Sequence, residues 1–225
     1  MIKHIFFDLD HTLWDFETNS AKAFEHIFEV NNIETNLIEF LGCYKSINEH
    51  YWKLYREDRI SKPDLRYGRL KDAFMKVEYD LGDELIHKLS VEYLNHLPNH
   101  NTLFEGTISI LEYLCAKYTL HIITNGFYEV QHLKLSRSNI ITYFDKVITS
   151  ESVGVKKPNP RIFNHALTLA NATPNESMMI GDSVEADVLG AMNVNMNAIH
   201  FNYDSRSVDA AVTSINKLEE LKHIL

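Results

Sequence analysis

Short apolar runs that stop abruptly at polar residues constrain this chain more than any other feature. Ile5-Phe6-Phe7 runs straight into Asp8, Leu120-His121-Ile122-Ile123 into Thr124, and Ser177-Met178-Met179-Ile180 into Gly181-Asp182. Lys146-Val147-Ile148-Thr149 and Ala198-Ile199-His200-Phe201 have similar length and character. Runs this short and this apolar read as buried strands. Helical patterns lie between them, over Ile108–Lys117, Tyr128–Ser138, Arg161–Ala170 and Val184–Met192. Asn159-Pro160 opens the third of these with a capping side chain and a proline at the first helical position. Strands alternating with helices predict an α/β fold with a mainly parallel sheet and helices on both faces. Ligands bind beyond the carboxyl ends of such strands, so Asp8, Thr124 and Asp182 can share one pocket.

The stretch from Phe16 to Pro98 breaks this rhythm and contains no convincing strand. Phe24, Ile27 and Phe28 recur at helical spacing, as do Ile47, Tyr51, Leu54 and Tyr55. Leu70, Phe74 and Val77 form a third stripe, and Leu85, Leu89 and Tyr93 a fourth. Four amphipathic helices can bury such stripes against one another as a small bundle. The expected organisation is a core domain over residues 1–15 and 99–225, with an all-helical domain over 16–98 inserted into it.

A chain of 225 residues can hold one core plus a smaller domain. A net charge of −9 argues against a nucleic-acid polymer as partner, because such surfaces are normally basic. A nucleotide monomer stays open, since the charge of a pocket matters more than the total. The two cysteines, Cys43 and Cys115, show no CxxC spacing, which fits a reducing compartment. The N-terminus turns acidic at Asp8, too early for a signal peptide. No apolar run approaches the ~20 residues that a membrane span needs. The expected location is the cytoplasm, with no membrane partner. Nothing in the sequence sets the oligomeric state.

The polar residues at the strand ends suit phosphoryl transfer. Phosphate esters repel nucleophiles through their negative oxygens, so a carboxylate nucleophile needs a metal ion and oriented donors. Asp8 is the natural nucleophile, forming an aspartyl-phosphate. Asp10 can protonate the leaving oxygen and then deprotonate the attacking water. A lone Asp-x-Asp would read as a cap or a turn, and the accompanying motifs tip the balance. Thr12 can support the loop through its hydroxyl, which is compatible with a capping role. The Thr124 hydroxyl and the Asn125 main-chain N–H can bind a phosphoryl oxygen. Lys157, with its backbone restrained by Pro158, can offset negative charge and hold Asp8 ionised. Lys156 is read as solvated. Mg²⁺ prefers oxygen ligands, and Asp8, the main-chain carbonyl of Asp10 and Asp182 would supply them. Asp187 has three readings: it holds a metal-bound water, it holds Lys157, or it is a surface carboxylate in a helix's first turn. The scattered histidines show no HExxH spacing, so zinc is not indicated. Trp14, Trp52, Phe127 and Tyr128 could stack on a base or sugar, although aromatics at helical spacing more often form core.

Taken together, Asp8-x-Asp10-x-Thr12, Thr124, Lys157 and Gly181-Asp182-x4-Asp187 resemble the haloacid dehalogenase superfamily of hydrolases from end to end. The resemblance implies a Rossmann-like core, a helical cap inserted after the first motif, and Mg²⁺. It assigns catalysis to Asp8, Asp10 and Lys157, and phosphate binding to Thr124, Asn125 and Lys157. Support falls to Thr12 and Asp187, and the metal to Asp8, Asp10 and Asp182. Members that cleave carbon–halogen bonds are expected to lack both the Gly181-Asp182 arrangement and an acid at Asp10, so dehalogenation is disfavoured. Ile122 to Phe127 and Val153 to Phe163 look like the bacterial pyrimidine 5′-nucleotidase branch, which implies a small phosphorylated metabolite, a pyrimidine nucleotide, as substrate. The N-acylneuraminate 9-phosphatases share similar segments and provide a sugar-phosphate alternative. A phosphomutase and a non-catalytic phosphate-binding module are the remaining readings. Specificity is expected in the cap, where motifs transfer no residue.

Overall fold

The first apolar run shows how the sheet arises. β1 (His4–Phe7) buries Ile5, Phe6 and Phe7 completely, as a strand covered on both faces must. It pairs in parallel with β2 (Thr119–Thr124) on one side and β4 (Ser177–Gly181) on the other, with Phe7 opposite Ile122 and Ile180. β3 (Phe144–Thr149), β5 (Asn197–Phe201) and β6 (Ser214–Ile215) complete a parallel sheet of order β3-β2-β1-β4-β5-β6. The winding reverses at β1, and the crevice beyond its carboxyl end is where this Rossmann-like order places ligands. The computed structural model describes residues 1–207 and 209–225, and its chain divides into Met1–Phe16 with Asn101–Leu225, and Glu17–His100.

The inserted stretch folds as four helices, α1 (Phe16–Val30), α2 (Leu37–Arg56), α3 (Lys62–Lys76) and α4 (Asp83–His96). Sequence signals set their starts. Asn36 caps α2 by accepting from the N–H groups of Ile38 and Glu39, and Ser61 and Asp64 form a reciprocal capping box on α3. The interior is largely aromatic: Phe24 lies 4.4 Å from Tyr93, 4.6 Å from Tyr44 and 5.0 Å from Phe40 by ring centroids. One expectation fails here. The α2 stripe Ile47-Tyr51-Leu54 is only half-buried, and the buried face carries Phe40, Tyr44, Asn48 and Tyr55. A search for apolar residues passes over Asn48, and Asn48 sits inside because it accepts a hydrogen bond from the buried Arg69.

The α/β unit adds α5 (Thr107–Cys115), α6 (Tyr128–Arg137), α7 (Ser150–Val153) and α8 (Pro160–Leu169). Asn159 caps α8 through the Arg161 N–H at 3.0 Å. Ile162, Phe163, Ala166 and Leu167 of α8 pack with Phe6, Ile123, Ile148 and Met179 of the sheet. The helical segment predicted over Val184–Met192 is present, but its first part is not wound as an α-helix. A π-helical segment, Val184–Leu189, runs into a short α-turn, Gly190–Met192. The Ser183 carbonyl accepts from both Asp187 N at 2.9 Å and Val188 N at 3.2 Å, which widens the turn. Such single wide turns recur at functional sites. No helix among the described residues is long and apolar enough to cross a membrane.

Candidate active site

Asp8 continues β1: its N–H still donates to the Ile180 carbonyl at 2.9 Å. The chain then folds back tightly, with Leu13 N and Trp14 N both donating to Leu9 O at 2.9 Å and His11 at a φ of 60°. This turn keeps Asp8 and Asp10 close to the ends of β1 and its neighbours. Thr12 is buried, and its hydroxyl donates to Asp182 Oδ1 at 3.4 Å.

Lys157 is the electrostatic centre. It is 1% exposed, donates to Ile123 O at 2.7 Å, and forms ion pairs with Asp187 Oδ1 at 2.6 Å and Asp8 Oδ1 at 3.0 Å. Its backbone is held by a two-way bond to Asn125, whose Oδ1 accepts from Lys157 N at 2.8 Å and whose Nδ2 donates to Lys157 O at 3.0 Å. The Asn125 side chain therefore fixes the lysine loop. Asp187, on the wide turn, is fully buried, and its second oxygen accepts from Ser183 N at 3.0 Å. Gly181 leaves room for it, since a Cβ there would collide with the Asp187 carboxylate.

Asp8, Asp182 and Asp187 each offer a carboxylate oxygen, all within 4.8 Å of one another. Three carboxylates facing one ammonium suit a hard divalent cation, which accepts oxygen ligands of this kind. Burial pushes the Asp8 carboxyl up to about 7, against the pull of Lys157 and together with the charges of Asp187 and Asp10. Burial, then Asp187 and Asp8, carries Asp182 well above the usual carboxylate range. Burial opposes charge on Lys157, yet Asp187 and Asp8 outweigh it and raise the lysine above its ordinary value. Such mutual strain among like charges is what a bound cation relieves.

The Asp10 carboxylate turns elsewhere, to two residues that sequence reasoning missed. Lys134 Nζ meets Asp10 Oδ1 at 2.5 Å, and Gln131 Nε2 donates to Asp10 Oδ2 at 2.9 Å. Gln131 also donates to Thr124 Oγ1 at 2.8 Å, and Gly126 N donates to the same hydroxyl at 3.1 Å. With both lone pairs engaged, Thr124 has only its proton left to offer a ligand. Gly126 is needed because a Cβ there would strike the Gln131 side chain. A signal existed: Gln131 and Lys134 sit on the buried face of α6 beside Val130 and Leu135, where polar residues are out of place. His200 is another such residue, its Nε2 donating to the Asp182 carbonyl at 2.8 Å. Trp14 is fully buried, with Lys134 Nζ 4.2 Å from its ring centroid, and Phe127 is buried too. Both are core, not stacking platforms.

Residues 5–201 match the family model described as haloacid dehalogenase-like hydrolase. The chain is 30% identical to pyrimidine 5′-nucleotidase YjjG of Escherichia coli (strain K12), over 98% of this chain and 96% of that protein. It is 32% identical to the glyceraldehyde 3-phosphate phosphatase of Methanothermobacter thermautotrophicus, over 100% of both. Among solved structures it is similar to YfnB from Bacillus subtilis bound to magnesium, with a TM-score of 0.90 and 27% identity over 100% of this chain and 98% of that one. On these matches, and with the strand-end residues in this arrangement, the chain belongs to the haloacid dehalogenase-like hydrolases.

Proposed function

We propose that this hydrolase is a Mg²⁺-dependent phosphoric monoester hydrolase that works through an aspartyl-phosphate, with pyrimidine nucleoside 5′-monophosphates as substrates. The observation that carries the chemistry is the sharing of Lys157 between Asp8 and the buried Asp187, beside Asp182 at the end of the neighbouring strand. Asp8, Asp182 and the Asp10 carbonyl would hold Mg²⁺, with Asp187 beside them, and the ion would neutralise phosphoryl oxygens. The magnesium named for YfnB supports that choice.

An Asp8 oxygen attacks phosphorus while the bond to the leaving oxygen breaks. Asp10 delivers a proton to that oxygen. It then takes one from the water that attacks phosphorus and frees Asp8. Both Asp10 oxygens accept hydrogen bonds in this structure, the state in which it serves as base. Thr124 donates its remaining proton to a phosphoryl oxygen, alongside the Asn125 main-chain N–H. Thr12 steadies Asp182. Residues 17–100 act as the cap. Free Cys43 and Cys115 fit a cytoplasmic enzyme.

The likeness to YjjG supports the nucleotide reading. The 32% identity to a glyceraldehyde 3-phosphate phosphatase favours a second one, a sugar phosphate handled by the same machinery. The deciding experiment compares phosphate release from deoxyuridine monophosphate, glyceraldehyde 3-phosphate and N-acylneuraminate 9-phosphate, with Mg²⁺ and with a chelator. Nucleotide preference and loss of turnover on chelation are expected. Preference for a sugar phosphate would overturn the substrate and keep the chemistry. Turnover that survives chelation would remove the metal.

A further inference from the structure

His200 is the polar exception in the buried part of β5, where it lies between Ile199 and Phe201 with 5% of its surface exposed. A buried imidazole needs a partner for each ring nitrogen, and both partners come from the α/β unit. Nε2 lies 2.8 Å from the Asp182 carbonyl oxygen, and Nδ1 lies 3.1 Å from Ser214 Oγ. A carbonyl can only accept, so Nε2 carries a proton. In the neutral ring Nδ1 is then the acceptor, and the Ser214 hydroxyl donates to it.

The partners follow from the sheet register. His200 stands opposite Gly181 of β4 on one side and opposite Ser214 of β6 on the other. Its own N–H donates to Thr213 O at 2.9 Å, which ties β5 to the strand that carries the serine. Asp182 follows the last paired residue of β4. Its carboxylate faces those of Asp8 and Asp187, with an oxygen of each within 4.8 Å of the others, so like charges push it away from the place where a cation would need it. The Thr12 hydroxyl holds that carboxylate at 3.4 Å, which is long for such a bond. The 2.8 Å bond from His200 is the shorter hold, and it acts on the residue's own carbonyl.

We propose that His200 is a positioning residue for the divalent cation: its bond to the Asp182 carbonyl fixes the main chain from which the Asp182 carboxylate projects, and Ser214 fixes the tautomer of the ring. Two hydrogen bonds then run from the edge strand β6 to the residue that would hold the ion. Groups that orient a metal ligand in this way govern metal affinity by about 10–100-fold. The proposal rests on the Mg²⁺-dependent reading above, and adds to it a residue that acts only through Asp182.

The test uses the full chain and three variants, His200→Phe, His200→Gln and Ser214→Ala. Mg²⁺ binding to the substrate-free protein is read by titration calorimetry, and the rise of melting temperature with Mg²⁺ is read beside it. His200→Phe should weaken Mg²⁺ binding by roughly tenfold or more. A glutamine amide can present an N–H near the place of Nε2, so His200→Gln should regain most of that loss. Ser214→Ala keeps the ring and releases its tautomer, and a smaller loss is expected. Turnover lost in His200→Phe should return as Mg²⁺ is raised, because the ion's site is weakened and not removed. Unchanged Mg²⁺ binding in His200→Phe, or equal weakness of His200→Phe and His200→Gln, would overturn the proposal. If His200→Phe does not fold, Ser214→Ala decides, and Mg²⁺ binding as tight as in wild type would overturn it. A wild type that binds no Mg²⁺ would sink the metal reading and the proposal with it. A wild type that binds Mg²⁺ no more tightly than the variants would sink His200 alone.

Discussion

The two units of this chain treat buried positive charge in opposite ways. In the α/β unit, Lys157 meets two carboxylates and a carbonyl, and Lys134 meets Asp10. In the helical unit, Arg69 meets an amide oxygen and the face of a ring. The difference matters for stability. A buried cation that balances anions cannot be removed without stranding them, whereas one that balances nothing can be replaced by an apolar group at little cost or at a gain. Charge in the first unit is bound into the structure that holds the reacting groups. Charge in the second is met only by neutral groups among the described residues.

The largest effect is expected where the anionic side of the α/β cluster is altered. Asp8→Asn keeps the shape and removes a charge from a crowded, buried group. Turnover should fall by roughly a thousandfold or more, because no nucleophile remains. The melting temperature should hold or rise. Phosphate release and a thermal melt on the same sample check both parts, and retained turnover would exclude Asp8 as nucleophile.

Lys157→Met attacks the same cluster from the cationic side. It strands Asp8 and Asp187 in the interior, at a cost of about 3–5 kcal/mol. Urea denaturation measures it. A variant as stable as wild type would break the contrast with Arg69.

Lys134→Met is expected to act on chemistry more than on folding, because Asp10 is partly exposed and Gln131 still holds one of its oxygens. General acid–base help is worth ~10²-fold or more, and it matters for alkyl leaving groups, which need a proton, far more than for nitrophenolate, which does not. The variant should lose most on alkyl phosphates and little on p-nitrophenyl phosphate. Equal losses on both would mean that Lys134 only supports the fold.

The smallest effect sharpens the comparison by adding a buried base that stays uncharged. His121 is fully buried, 3.1 Å from His4 through their ring nitrogens and stacked on Phe6. Burial, helped by His4, lowers it to about 4. The unfolded chain takes up this proton near pH 6.5 and the folded one only near 4. The contribution is therefore complete above about pH 6.5 and is lost as the pH falls toward 4, on the order of 3 kcal/mol in all. Urea stability from pH 7 to pH 4 should show that decline in wild type and a shallower one in His121→Phe. Parallel curves would remove His121 as its source.

Much of this was legible because it is local. An apolar run of four or five residues bounded by polar ones suits a strand buried on both faces, and Asp8, Thr124 and Asp182 lie at the ends of such runs. The helical stretch announced itself through the spacing of its apolar residues. The misreadings occurred where a polar residue took a core position for a partner distant in the chain. Asn48 disguised the buried face of α2 because it answers Arg69, and Gln131 and Lys134 of α6 drew no attention because their partner, Asp10, lies far away in the chain. The wide turn at Val184–Leu189 depends on one carbonyl serving two N–H groups, which no residue pattern encodes.

The sequence by itself determined the α/β order, the inserted helices and the residue types able to attack and hold a phosphate, because apolar period and strand-end chemistry are written in neighbouring residues. Tertiary structure alone decided how charge is balanced: that Lys157 is shared between Asp8 and Asp187, that Asp10 is held by Lys134 and Gln131, and that Arg69 meets an amide oxygen and a ring face. The physical reason is that the cost of a buried charge depends on what lies within a few ångströms of it, and only folding brings those groups together.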